Sequence, residues 1–150
     1  MHRVFGQKED AKYIDRRGAY LIPVKNGYVG VVLTGKGYFL LGGGLEKDES
    51  DEICIRRECL EEAGYKVLIK YKIGSAETYC KVSEIGYFHP IQEYYVGELL
   101  EKMQDPIEDD HRFVWVRFEK LRGNMYLEMQ NWAIEEAWDH MNESLDHKVL

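Results

Sequence analysis

The chain has little of what staples, breaks or buries a polypeptide in an unusual environment. Its 150 residues include three prolines and three cysteines, Cys54, Cys59 and Cys80. The odd count, with no C-x-x-C pair and no histidine at zinc-ligand spacing, excludes a disulfide scaffold and a zinc module. The thiols therefore read as reduced and structural. No apolar run approaches the length of a membrane span or a signal-peptide core, which predicts a soluble, cytoplasmic protein with no membrane partner. Positive charge is also short, with 20 basic against 27 acidic residues and a formal net charge of −7. Such a balance repels a polyanion unless the basic groups gather on one face, so no nucleic acid polymer is expected as a partner. A small phosphorylated ligand is a different case, because a bound divalent cation reverses the local sign of the field.

Apolar and aromatic material is plentiful. A hydrophobic content of 45% fills one core, and the length is too short for two ordinary domains, so residues 1–150 are expected to form a single domain. Met1 to Lys12 is polar and reads as an irregular lead-in. Two β-rich runs, Gly18 to Val24 and Tyr28 to Leu33, flank Lys25-Asn26-Gly27, a hairpin signal. Tyr38 to Leu41 reads as a short strand that stops at a loop, Gly42-Gly43-Gly44. The period then becomes helical. Ser50 or Asp48 caps a helix running to about Ala63, Asp51 and Glu52 suit its first turn, and Gly64 ends it.

Val67 to Ile73, Ala76 to Val82, Gln92 to Leu99 and Val114 to Phe118 read as further strands, with Pro90 limiting the start of the third. From about Asn124 to Met141 a helical stripe of Met125, Met129, Trp132, Ala133, Ala137 and Met141, widened by Leu127, Ile134 and Trp138, asks for burial. That stripe can face a core or a second copy, so a homodimer is open. Strands on both sides of an acidic helix, with a second helix at the end, predict an α/β fold: an α/β/α sandwich around a mixed sheet.

The chemistry lies on the first helix. Glu58, Glu61 and Glu62 share one arc, while Ile55, Cys59, Leu60 and Ala63 point broadly the other way. Three carboxylates at i, i+3 and i+4 repel one another and ask for a compensating cation. Oxygen ligands suit a hard ion, Mg²⁺ or alternatively Mn²⁺, which polarises a diphosphate and lowers the pKa of water. Taken alone, the triplet is more often a solvated acidic face. The glycines before it shift that balance by letting backbone come close to a ligand. They are not a phosphate-binding P-loop, since Gly-Lys-Ser/Thr is absent and Glu46, Asp48 and Glu49 follow.

Gly43 to Tyr65 resembles the Nudix box, G-x5-E-x7-R-E-U-x-E-E-x-G-U with U a bulky aliphatic residue. Gly43, Glu49, Arg57, Glu58, Glu61, Glu62 and Gly64 fill its fixed positions. Cys59 and Tyr65 are unusual at U, and Leu41 stands where the family often has proline. The resemblance implies a strand-loop-helix metal site in the Nudix α/β/α sandwich. Glu58, Glu61 and Glu62 would be metal ligands, one of them a candidate base, joined by the Gly42 carbonyl; Glu49 and Arg57 would lock loop to helix.

The resemblance also implies an enzyme that hydrolyses a diphosphate linkage of a nucleotide-like substrate. A nucleoside triphosphate, oxidised or not, is the first expectation. Dinucleoside polyphosphates and nucleotide sugars remain alternatives, as do a non-catalytic nucleotide sensor and a structural domain. Many members draw a further acid from a distant loop, and Glu108, Asp109 and Asp110 are placed to supply one. Lys12, Arg16 and Arg17 are candidates to reach phosphate, and Tyr79, Tyr87, Phe88 and Tyr94 to stack on a base; Arg17, Tyr79 and Tyr87, with Asp109 and Asp110, are the expected substrate contacts.

Overall fold

The structure, a computed structural model, describes residues 1–107 and 110–149, with side chains as far as 143. Nine strands assemble in one mixed sheet. They are β1 (His2–Phe5), β2 (Ile14–Lys25), β3 (Tyr28–Thr34), β4 (Gly37–Phe39), β5 (Leu41–Gly44), β6 (Tyr65–Thr78), β7 (Cys80–Val82), β8 (Gly86–Lys102) and β9 (Arg112–Arg117). Three helices are formed among the described residues: α1 (Asp51–Ala63), α2 (Phe118–Leu121) and α3 (Glu128–Val149). The strands run in the order β1-β6-β8-β2-β3-β4, with β5 beside β2, β7 beside β8 and β9 beside β3. Among the described residues, β1 with β6 and β2 with β8 pair in parallel and the other strand pairings are antiparallel.

Period-2 alternation sorts the side chains of β2 between two cores. Ala19 and Leu21 face α1, packing with Cys54, Ile55, Cys59 and Ala63. Tyr20 and Ile22 face α3, packing with Met129, Ala133, Ile134 and Ala137. The expected α/β/α sandwich is therefore what the chain forms. The stripe that asked for burial is buried within the chain: Trp132, Trp138 and Met141 pack against the α3 core as well. Helix α3 starts later than expected, with Met125 outside it in an isolated bridge to Tyr38. No helix among the described residues is long and apolar enough to cross a membrane.

Local chemistry explains both the agreements and the departures. Asn26 and Gly27 adopt φ of 52° and 81°, the left-handed pair that a tight hairpin between β2 and β3 needs. Gly42-Gly43-Gly44 is not a loop. It is most of β5, registered against Tyr20, Ala19 and Gly18 of β2. The glycines are required by close approach, since a Cβ on Gly42 would overlap the Ala19 carbonyl oxygen.

Pro90 does not stop β8, which continues through it. It pairs with Arg16 on one side; on the other it falls in the gap between the Cys80–Phe88 and Glu77–Ile91 pairs, where no strand asks for its missing N–H. The expected break between Ile73 and Ala76 is instead a continuous β6 carrying bulges. The lead-in also differs. His2 to Phe5 forms β1, and His2 bonds Ser75 Oγ (2.6 Å) and Glu77 Oε2 (2.5 Å). Four residues, His-Arg-Val-Phe, are too few to show a period in sequence.

Candidate active site

Helix α1 is set by its ends. Ser50 Oγ accepts from Ile53 N at 3.2 Å, and Gly64, with φ of 80°, donates back to the carbonyls of Cys59 and Leu60. Tyr95 donates to Asp51 (2.6 Å) and Arg56 to the Val67 carbonyl (2.9 Å), pinning the helix to the sheet. Glu58, Glu61 and Glu62 occupy its last two turns, where the macrodipole is already negative and no basic residue lies in the last turn. The site thus concentrates negative potential from side chains and backbone together.

Arg57 organises this acid. Its Nε and Nη2 form a fork on Glu49 at 2.7 and 2.9 Å, and Nη1 donates to Glu58 Oε1 at 2.9 Å. Nη2 also reaches the Gly44 carbonyl at 3.2 Å, so one guanidinium ties β5, the approach to the helix and the helix itself. Glu49 accepts a further bond from Glu46 N at 2.8 Å. The Arg57 hydrogen bonds, backed by that N–H, hold the Glu49 carboxyl down from an ordinary 4.5 to about 2.

The sign of the consequence follows. A depressed folded pKa stabilises the protein above the unfolded value, and that contribution disappears as pH falls from about 4.5 toward 2. Melting temperatures should show a wide gap between wild type and Glu49→Gln at pH 7 that closes as pH approaches 2.5. A gap of constant width over that range would contradict the assignment.

Glu62 is 7% exposed and accepts the Gly42 N–H at 2.8 Å. What Gly42 shows to the helix is thus its amide. Gly43 lies against Glu58, and a Cβ there would come within 2.5 Å of Glu58 Oε1 and 2.7 Å of its Cδ. The Gly43 carbonyl faces the Cys54 thiol at 3.4 Å, giving this buried cysteine a structural partner. Burial chiefly raises the Cys54 thiol to about 11, which keeps it neutral.

Because Gly43 has no left-handed φ and the crowded atoms are a carboxylate, Gly43→Ala displaces Glu58 rather than the backbone. The melting temperature should move by no more than about 3 °C, roughly 1 kcal/mol. Metal-supported turnover should fall by about 10-fold or more. An alanine variant with unchanged turnover would remove the argument that this glycine clears room for Glu58.

The donor set suits a hard divalent cation, being all oxygen and carboxylate-rich. It is not a closed cage: among the described residues, no three His, Cys, Asp or Glu side chains converge as a metal cluster. Glu58 leans onto Arg57 and Glu62 onto the Gly42 amide. That suits Mg²⁺, which commonly takes one or two carboxylates and completes its shell from water and substrate phosphate. Glu61, with a side chain 36% exposed, is the most open of the three, 3.6 Å from Arg57.

An open cleft of about 440 Å³ adjoins Glu62, Gly42 and Gly43, and Asp110, Arg16, Tyr20 and Phe39 also line it. Of the three acids expected beyond the helix, Asp110 reaches this cleft, while Glu108 and Asp109 lie outside the described residues. Arg16, not Arg17, faces it. The two alternate across β2, and only Arg16 shares the side of Tyr20, with its Nε close to Gly44. Lys12 does not line it either.

Tyr79 and Tyr87 do not line the cleft. Tyr79 stacks on His89 at 4.2 Å between centroids, and Tyr13 meets both tyrosines edge-on. Tyr94 is fully buried in the core. The aromatics beside the acidic face are Tyr20 and Phe39, which the sequence reading did not single out; the alternation of Tyr20 with the core-facing Ala19 and Leu21 is the signal that marks it. Burial raises the Tyr20 phenol to about 12 despite the Arg16 charge, so it stays protonated.

A model of the NUDIX domain matches residues 16–136. Among solved structures, a NUDIX hydrolase from Nitrosomonas europaea superimposes with a TM-score of 0.72 at 18% identity, over 85% of this chain and 90% of that one. A MutT NUDIX hydrolase from Burkholderia pseudomallei gives 0.67 at 16% identity, over 82% and 98%. The E. coli ORF135 protein gives 0.65 at 16% identity, over 85% and 91%. No curated protein matches the chain. The structural likenesses show the fold; the domain match, covering most of the sequence and the whole of α1 with its glycine strand, shows that the chain belongs to the Nudix hydrolase family.

Proposed function

We propose that the protein is a Mg²⁺-dependent pyrophosphohydrolase, with Mn²⁺ as an alternative ion, that cleaves the diphosphate linkage of a nucleoside diphosphate derivative. The first candidate substrate is a nucleoside triphosphate, giving a nucleoside monophosphate and pyrophosphate. The observation that carries the reading is the set of three glutamates at the negative end of α1, held by Arg57 and by the Gly42 amide beside an open cleft.

Each residue has a part that its contacts support. Glu58, Glu61 and Glu62 supply the acidic oxygens; the Gly42 carbonyl is kept as a further ligand on the family resemblance alone, since the contact seen at Gly42 is its amide on Glu62. Divalent metal chemistry at this face offsets charge on the diphosphate and acidifies water. Arg57, fixed by Glu49, orients Glu58 and holds its carboxylate in one position. Arg16 lines the cleft, a cation for phosphate in an otherwise acidic protein. Asp110 is a candidate for the acid that joins from the far side, and Glu61 or Glu62 for the base.

The experiment is a panel of nucleoside triphosphates, dinucleoside polyphosphates and nucleotide sugars incubated with Mg²⁺, with released monophosphate and pyrophosphate resolved by chromatography. Turnover of a triphosphate to monophosphate and pyrophosphate is the expected result. No turnover of any member of the panel would overturn the catalytic reading.

A further inference from the structure

A second cleft, of about 330 Å³, opens off the first and shares Arg16, Tyr20 and Phe39 with it. Phe88, Leu127 and Met129 add apolar wall, and two amide side chains, Gln92 and Gln130, are buried among them. A ligand held by its phosphates near Glu62 and Arg16 therefore has a ring-sized apolar recess next to it, and that recess carries polar groups deep inside.

The orientation of those amides is forced. Leu40 N is a donor only, so the Gln130 atom it meets at 2.9 Å is the carbonyl oxygen. Gln130 Nε2 must then be the atom that donates to Gln92 Oε1, at 3.1 Å. Tyr94 donates its hydroxyl to the same oxygen at 2.9 Å. Reversing Gln92 would set one NH₂ against another inside the protein. Its own Nε2 is left over: among the described residues it makes no hydrogen bond, and Gln92 lines the recess. The recess is thus an apolar slot with an N–H donor at its base, fixed by backbone through a two-amide relay.

We propose that Gln92 is a specificity-determining residue for the substrate's ring, favouring a base with a carbonyl oxygen on the edge far from its sugar, a 6-oxopurine or 4-oxopyrimidine. A ring whose sugar points toward Arg16 and the acidic face enters the slot by that far edge. There a carbonyl accepts the waiting N–H, whereas an amino group places two donors face to face and leaves both unsatisfied. Gln130 acts through Gln92 as a positioning residue. The inference rests on the hydrolase reading only for where the phosphates lie.

Gln130→Glu tests the relay while keeping the size and shape of the side chain. An ionised glutamate still accepts from Leu40 N but presents an oxygen to Gln92, which turns and aims its own oxygen into the slot; burial favours the neutral carboxyl, which donates as Gln130 does, so this variant is read at high pH. Gln92→Leu removes the donor outright while keeping the volume. Binding is read by calorimetry with two matched pairs, inosine against adenosine monophosphate and uridine against cytidine monophosphate.

Wild type should favour the oxo member of at least one pair by about 10-fold or more, since a site built to hydrogen-bond a group rejects the analogue lacking it. Gln92→Leu should level that preference, and Gln130→Glu should reverse it toward the amino member. Equal binding within both pairs by wild type, or a preference that survives Gln92→Leu, would overturn the proposal; if Gln130→Glu does not fold, Gln92→Leu decides alone. The readout needs no turnover. Ring discrimination without hydrolysis of any triphosphate would count against the hydrolase reading alone, and hydrolysis without discrimination against the specificity proposal alone.

Discussion

Glu62→Gln should leave the protein folded and reduce turnover on the order of 10²- to 10⁴-fold, the range over which a positioned acid or base acts. The substitution is nearly isosteric, and its amide oxygen can still accept the Gly42 N–H that Glu62 accepts at 2.8 Å. What it removes is a negative charge at the C-terminal end of α1, beside Glu58 and Glu61. If Glu62 were only a structural acceptor for β5, the glutamine variant would work as well as wild type. Circular dichroism melts alongside rate measurements separate the two cases. Undiminished turnover in a folded Glu62→Gln variant would remove Glu62 from the chemistry.

Gly42→Ala should be the most destabilising change in the glycine strand. Its φ of 144° is one that L-residues rarely adopt, and a Cβ there would overlap the Ala19 carbonyl and crowd the Tyr20 backbone and ring. Overpacking and backbone strain each cost about 1–3 kcal/mol, so a loss of about 3 kcal/mol or more is expected. For a domain of this size that lowers the melting temperature by about 10 °C. The damage falls on the β2–β5 seam, which fixes the Gly42 amide for Glu62 and keeps Gly43 under Glu58. Gly42→Ala and Gly43→Ala should therefore split, the first lost to unfolding and the second to function. Equal melting temperatures for the two variants would contradict the close-packed account of β5.

The contrast between those glycines shows what was legible in the sequence. That backbone must come close at Gly42 to Gly44 followed from the absence of side chains. That the segment pairs as a strand did not, because a glycine run carries no alternation of apolar and polar residues. Helix α1 was legible apart from the choice between Ser50 and Asp48 as its cap, since Ser50, Asp51, Glu52 and Gly64 are local signals acting within one turn. Pro90 misled because its cost depends on which neighbour faces its missing N–H, a property of the sheet rather than of the strand.

At the site, the acidic arc was readable from helical spacing, and the Arg57–Glu49 clamp from the resemblance of Gly43 to Tyr65 to the Nudix box. The clefts were not. Arg16 and Arg17 are chemically equivalent in sequence and opposite in space, and choosing between them needs the phase of β2, which Tyr20 and the core-facing Ala19 set. Gln130 did leave a trace: it is polar at a position in step with Ile134 and Ala137 on the buried stripe of α3. Its partner Gln92, a polar residue ahead of Tyr94 on the same face of β8, leaves none until the two strands and the helix meet.

The central claim is that the acidic face of α1 seats a divalent ion, and electron paramagnetic resonance of Mn²⁺ tests it most directly. Titrating chelator-treated protein into Mn²⁺ should quench the free-ion signal saturably. Glu58→Gln and Glu61→Gln should each weaken that binding by about 10-fold or more, as expected when a charged oxygen ligand is lost. If wild type and both folded variants titrate Mn²⁺ identically, the three glutamates are a solvated surface and the proposed site does not exist.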